Sequence, residues 1–186
     1  MIRSDVLGSL VPHLGDTLAV CNIGAPSQEL HALAERNGNF YMLGTMGLCT
    51  PIALGLALAR PARAVLAIEG DGALLTNLGT LATLANNVAD NLVVLVIDNA
   101  SYGSTGDQPT YSGARTSLGA VARGCGCENV VECGADEAAD SLRAAQVSAR
   151  MTVIIAKCAP GNADVPVIRE NPVVMRTRFM AEVAKG

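Results

Sequence analysis

Tryptophan is absent from the 186 residues, and the other aromatics are reduced to three tyrosines and two phenylalanines. A core without bulky rings must be assembled from Ala, Val, Leu and Ile in close layers. That suits a layered α/β architecture better than a small β-barrel. Charge is scarce too: Asp, Glu, Lys and Arg make up 16% of the chain, against about a quarter in ordinary soluble domains. The net charge of −4 comes with no basic stripe, so no nucleic acid is expected as a partner. No apolar run approaches the ~20 residues of a membrane span, so no membrane is expected either. The surplus apolar surface is expected to meet another protein chain. The six cysteines (Cys21, Cys49, Cys125, Cys127, Cys133, Cys158) contain no C-x-x-C pair. With no signal-peptide pattern at the N-terminus, they read as reduced cytoplasmic thiols. Cys125 and Cys127 are too few and too close for a zinc site. No G-x-G-x-x-G follows the first strand, which disfavours an NAD-type fold.

What is present is half apolar and long enough for one domain, expected over residues 1–186. Runs of strand length lie at 17–22, 40–43, 64–68, 92–97, 128–132 and 152–156. The strongest are continuous rather than alternating, as in parallel strands covered on both faces. Helical patterns lie between them, at 27–36 after a possible cap at Pro26–Ser27, and at 137–149. Leu74, Leu78, Leu81 and Ala85 make one apolar stripe on a single helix of about four turns. The segment 48–59 is apolar nearly all round, which predicts full burial in its own domain or against a partner. A tail helix over about 172–184 carries Met175, Phe179 and Val183 on one face. The fold class expected is α/β, a doubly wound parallel sheet with helices on both faces. The polar loop 99–117 and the irregular stretch 158–172 break the rhythm, and loops of such length are usually functional or disordered.

Gly70-Asp71-Gly72 follows directly on the strand at 64–68, at the carboxyl end where open α/β sheets bind ligands. Glycines on both sides let the backbone turn tightly and approach a ligand. Asn99 lies just past the next strong strand, so adjacent strand ends bring it to the same edge as Asp71. One carboxylate, one amide oxygen and a backbone carbonyl are a sparse set that suits Mg²⁺ completed by water and phosphate oxygens. Asn22–Pro26 ends the first strand and opens a helix whose free N–H groups suit a diphosphate. Taken singly, each has an ordinary explanation: a turn, a loop cap, or for Met46 core packing.

Taken together, Gly70-Asp71-Gly72 with Asn99 about 25 residues on resembles the thiamine diphosphate (TPP) motif of the decarboxylase and acetolactate synthase superfamily. Gly44-Thr45-Met46-Gly47 is similar to the Gly-Thr-Met-Gly of acetolactate synthases. The resemblance implies Mg²⁺ ligands at Asp71, Asn99 and the backbone carbonyl of Ser101. It implies a cofactor-binding set of Gly24, Ala25, Gly44, Met46, Gly70, Asp71, Gly72, Ala73, Asn99, Ser101, Tyr102 and Gly103. Met46 would support the bent cofactor and Gly44 would offer its carbonyl. The family's pattern is often Asn-Asn where this chain has Asp98-Asn99.

The family also requires a glutamate against the aminopyrimidine ring, supplied by a separate pyrimidine-binding domain. Glu69 lies at the diphosphate end and reads as structural, so the catalytic glutamate is expected on a partner chain, a pyrimidine-domain α subunit. Asn77-Leu78-Gly79, the run from Asn99 to Thr110, and the run from Pro160 to Pro166 resemble the β subunits of sulfopyruvate decarboxylases. That resemblance implies a 2-oxo acid substrate, a hetero-oligomer of α2β2 form or larger, and a loop 101–110 that closes over the site. Ser104, Thr105 and Gln108 are substrate candidates, with turn chemistry as the alternative. Where relatives commonly carry a second glycine, this chain has Asp107, a carboxylate unwelcome beside a dianionic sulfonate. Arg169, Arg176 and Arg178 read as a solvated helix face, with contact to an anionic substrate as the alternative, and His13 and His31 read as structural. Phosphonopyruvate decarboxylation, half of a carboligase, and a TPP-binding module without turnover stay open as alternatives.

Overall fold

Continuous runs of Val, Leu and Ile form strands because their stiff side chains pack well on a pleated surface covered from both sides. In the computed structural model, which describes residues 1–185, β3 (Val65–Gly70) and β4 (Leu92–Asp98) are such runs and lie at the centre of the sheet. Around them stand β1 (Leu18–Cys21), β2 (Asn39–Tyr41), β7 (Val130–Gly134) and β8 (Thr152–Lys157). The order is β2-β1-β3-β4-β8-β7, every pairing parallel. The chain passes from β1 outward to β2 and returns across to β3, so the winding reverses between β1 and β3. A crevice opens there at the carboxyl ends.

Alternate residues of each strand feed two cores. Leu18, Val20, Val65, Ala67, Val94 and Val96 face one layer, built by α3 (Cys49–Ala59), α5 (Gly79–Asn86) and α6 (Leu118–Gly124). Ala19, Cys21, Leu66, Ile68, Leu95 and Ile97 face the other, built by α1 (Arg3–Leu10), α2 (Ala25–Leu33) and α7 (Ala138–Ser148). The last helix, α8 (Pro172–Val183), is capped by Asn171 and docks through Phe179, whose ring lies 5.3 Å from that of Phe40 in β2.

The structure corrects several expectations. The single helix through Leu74 and Ala85 is two, α4 (Asp71–Thr76) and α5. Asn77 breaks it, because its amide leaves the helical path to donate to the Gly47 carbonyl at 2.9 Å. Of the two covers expected for 48–59, the chain's own core supplies one side, and the alternative of a partner still stands for the other. Cys49, Ala53, Leu54 and Ala57 are buried, whereas Ile52 is 41% and Leu58 51% exposed. α2 starts at Ala25 rather than Ser27, with Gly24 as its cap at φ 78°. β7 runs two residues later than expected. The loop 99–117 is ordered by a short antiparallel pair, β5 (Ser101–Tyr102) and β6 (Gln108–Pro109), closed by Thr110 N–H donating to the Ala100 carbonyl.

All six cysteines are free, and burial pushes Cys21 up to about 12 and Cys158 up to about 11. The thiolate is the reactive form, so at pH 8 these two present almost none of it. A thiol reagent is expected to label Cys125 first and to reach Cys21 and Cys49 only in denaturant. Mass spectrometry of the labelled peptides against time checks this order.

Candidate functional site

The crevice at the β1/β3 reversal holds a cleft of about 200 Å³. Its walls come from five places: Asn22, Ile23, Gly24 and Pro26 after β1; Gly70 to Ala73 at the start of α4; Ile97 and Asn99 at the end of β4; the hairpin residues Ser101 to Thr105; and Met46 with Arg3 at the rim.

Parallel pairing sets Gly70 beside Ile97, so the turn after β3 and the turn after β4 meet at one edge. Asp71 is buried there, and its Oδ2 accepts from Thr110 Oγ1 at 2.5 Å, with Ser112 Oγ 2.9 Å away. Burial pushes its carboxyl above the ordinary range, and the two hydroxyls partly offset that. Asn99 Oδ1 accepts from Ser101 N–H at 3.2 Å, and Ala100 between them is left-handed at φ 55°. That turn brings the Ser101 backbone to the wall of the same cleft.

The donor set therefore fits a hard cation: one carboxylate among the lining side chains, an amide oxygen and peptide carbonyls. Two buried amide atoms, Asn22 Oδ1 and Asn99 Nδ2, have no hydrogen-bond partner among the described residues. Both residues line this cleft, and a polar ligand would satisfy them. Gly24 cannot be replaced without cost, since a Cβ there would stand 2.8 Å from Ser104 Oγ. Gly72 is tighter still, with the Tyr102 ring 2.3 Å from an added Cβ. These residues fit an anionic ligand bound through a metal ion.

Of the residues singled out from sequence, Gly24, Met46, Gly70, Asp71, Gly72, Ala73, Asn99, Ser101, Tyr102, Gly103, Ser104 and Thr105 are brought together in this cleft. Ala25, Gly44 and Gln108 are not among its walls. Ala25 N–H reaches Ser104 Oγ at 3.5 Å, Gly44 is exposed, and Gln108 accepts from Thr105 Oγ1 at 3.0 Å. Asp107, feared as a charge beside the substrate, is also outside the lining. It sits at φ 57°, and its carboxylate accepts from Ser101 Oγ at 2.9 Å. A left-handed position explains why glycine would stand there in relatives.

Glu69 is structural, as the sequence suggests. Burial pushes its carboxyl up to about 7, opposed by donors from Thr50 N–H, Thr50 Oγ1 and Gly70 N–H. It ties α3 to the turn that carries Asp71. Glu69→Ala would strand these donors and is expected to cost about 2–4 kcal/mol, read from urea denaturation. Arg178 is no free cation, since it pairs with Glu35 and Glu170.

Sequence reasoning missed Arg3 and Ser112, and included Asn22, Thr110 and Asn162 within longer runs without giving them roles of their own. Arg3 binds Glu29 through Nε at 2.8 Å and Nη2 at 3.0 Å, and Nη2 also donates to Asn162 Oδ1. Asn162 in turn donates to the Gly103 carbonyl at 2.8 Å. The partners are 26 and 159 residues from Arg3, beyond any local spacing rule.

Residues 23–156 match the family model described as thiamine pyrophosphate enzyme, C-terminal TPP binding domain. The chain is 40% identical to the sulfopyruvate decarboxylase subunit beta of Methanocaldococcus jannaschii, over 99% of this chain and 98% of that protein. It is also 40% identical to the phosphonopyruvate decarboxylase of Streptomyces viridochromogenes, over 80% of this chain but 37% of that protein. Among solved structures, the 2-oxoglutarate:ferredoxin oxidoreductase of Magnetococcus marinus superposes with a TM-score of 0.70 at 15% identity. It covers 85% of this chain and 62% of that one, a likeness of fold.

Proposed function

Because the chain belongs to the thiamine pyrophosphate enzymes, by their C-terminal TPP-binding domain, and within them to the sulfopyruvate decarboxylase β-subunit family, we propose that it is the diphosphate-binding subunit of a two-chain 2-oxo acid decarboxylase. The proposed reaction converts 3-sulfopyruvate to sulfoacetaldehyde and CO₂, with thiamine diphosphate and Mg²⁺ as cofactors. The observation that carries this reading is the meeting of Asp71 and Asn99 in one cleft, with unpartnered buried amides beside them.

In this reading Asp71, the Asn99 amide oxygen and the Ser101 carbonyl hold Mg²⁺, which takes its remaining oxygens from water and diphosphate. Gly24, Ala25, Gly70, Gly72, Ala73, Tyr102 and Gly103 surround the diphosphate closely. Gly44 and Met46 stand on the ring side. When bound, thiamine diphosphate supplies the nucleophilic carbon and the electron sink for loss of CO₂. The hairpin 101–110 closes over the substrate and excludes water, with Ser104, Thr105 and Gln108 donating to its acid groups. Asp107 is turned to Ser101, so it does not oppose a sulfonate.

A partner is supported by two features. The cleft, about 200 Å³, is below the roughly 300–1,000 Å³ usual for small-molecule sites, which suits the diphosphate end alone. Glutamate is absent from its lining among the described residues. A pyrimidine-domain α subunit would complete both, in an α2β2 or larger assembly. The exposed Leu43, Ile52 and Leu58 offer it apolar surface. The chain is read as one domain over 1–186 with 172–184 as its tail helix. Among the described residues no helix is long and apolar enough to cross a membrane, and unpaired thiols suit a cytoplasmic protein.

The test is to assemble the chain with its partner and offer sulfopyruvate, phosphonopyruvate and pyruvate, measuring CO₂ and aldehyde. Sulfoacetaldehyde as the fastest-formed product is expected. A hydroxyketone would make it a carboligase instead. Met46→Ala is expected to lower turnover about tenfold while cofactor affinity changes less than about threefold. Parallel titrations with thiamine diphosphate check it, and equal losses would reduce Met46 to packing.

A further inference from the structure

Asp71 is held by more than the turn that carries it. Thr110 Oγ1 lies 2.5 Å from Asp71 Oδ2 and 2.8 Å from Ser112 Oγ. Ser112 Oγ lies 2.9 Å from the same Oδ2 and 2.7 Å from Asp98 Oδ1. All four side chains are buried. Asp98 Oδ2 accepts from Lys157 Nζ at 3.0 Å, at the edge of the cluster.

Each hydroxyl owns a single hydrogen, and an ionised carboxylate only accepts. Ser112 gives its hydrogen over the shorter contact, to Asp98, and has none left for Asp71 or Thr110. The hydrogen left for Asp71 Oδ2 is that of Thr110, whose contact is the shortest of the set. Both side-chain contacts fall on Oδ2, so Oδ1 is the oxygen left for the cleft. Thr110 also closes the hairpin, its N–H donating to the Ala100 carbonyl at 3.0 Å, between Asn99 and Ser101. One segment therefore carries two of the three assigned ligands and the clamp on the third.

We propose that Thr110 is a positioning residue for the cation site, clamping Asp71 so that the ligand set is aligned before the ion arrives. Supporting hydrogen bonds of this kind orient ligands, and their loss typically costs about 10–100-fold in metal affinity. The Asp98–Lys157 pair anchors the far end by taking Ser112's hydrogen. An asparagine at 98 would carry its own donors and loosen that direction. The inference rests on the reading of Asp71 as a metal ligand.

The experiment is equilibrium dialysis of thiamine diphosphate with the assembled complex across a Mg²⁺ titration, for the parent, Thr110→Val, Thr110→Ser and Asp71→Ala. Thr110→Val is expected to raise the half-saturating Mg²⁺ concentration by about tenfold or more, and Thr110→Ser by less than about threefold. At saturating Mg²⁺ all but Asp71→Ala should bind the cofactor as the parent does. An unchanged Mg²⁺ requirement in Thr110→Val, with Asp71→Ala defective, overturns the clamp alone. Intact Mg²⁺-dependent binding in Asp71→Ala overturns the metal assignment and the clamp with it. If Thr110→Val does not fold, Thr110→Ala decides: a rise of about threefold or more supports the clamp, and none refutes it.

Discussion

Asp71→Ala is expected to abolish Mg²⁺-dependent binding of thiamine diphosphate, with affinity falling by about 100-fold or more. The reason is electrostatic. Asn99 and the Ser101 carbonyl are neutral donors, and Asp71 is the one carboxylate among the residues that line the cleft. Without it the ion loses its only anionic protein ligand, and the diphosphate loses the cation that compensates its charge. Asp71→Asn keeps the shape and should recover a small part of the affinity. Calorimetric titration of the assembled complex, with and without Mg²⁺, measures the effect. A far-ultraviolet dichroism spectrum matching the parent separates it from unfolding. Binding that is unchanged and still Mg²⁺-dependent would mean the ion is held elsewhere.

The second large effect concerns the chain by itself. Purified alone it is expected to release no CO₂ from sulfopyruvate above the rate in buffer, whatever the supply of cofactor. Titrating in the partner should raise the rate until the two chains are equimolar. The cleft offers one carboxylate, amides, hydroxyls and Met46, but among the described residues no glutamate lines it. Glu69 is no substitute, because Thr50 and Gly70 occupy its carboxylate beneath α3. Positioned acid–base catalysis is worth about 10²–10⁴-fold, and the half-built cleft adds a loss of orientation. Turnover by the isolated chain, proportional to its concentration and lost in Asp71→Ala, would instead mean that the site completes itself.

The meeting of Asp71 and Asn99 was readable because it is local. Gly70-Asp71-Gly72 follows its strand without a gap, and Asn99 follows the next, so parallel pairing alone makes them neighbours. Met46 and Gly24 were legible through short motifs beside elements of plain type. The helix stripe through Leu74, Leu78, Leu81 and Ala85 misled, because a period of 3.6 survives a break of two residues. Only the Asn77 bond to Gly47, 30 residues away, reveals that break. The apolar segment 48–59 was ambiguous for a similar reason. Hydropathy states that a surface seeks cover, and not whether its own core or another chain provides it.

By itself, then, the sequence determined the parallel sheet, through continuous Val, Leu and Ile runs, and the edge at which Asp71 and Asn99 meet. It also determined that a charge-poor chain needs cover. The tertiary structure alone decided what surrounds that edge: Thr110 and Ser112 on Asp71, Asp107 turned to Ser101, and Arg3 linked through Asn162 to Gly103. Periodicity and strand order are properties of neighbouring residues, carried by backbone geometry. Hydrogen bonds between loops are short in space but unrelated in sequence distance, and appear only once the sheet has brought their loops together.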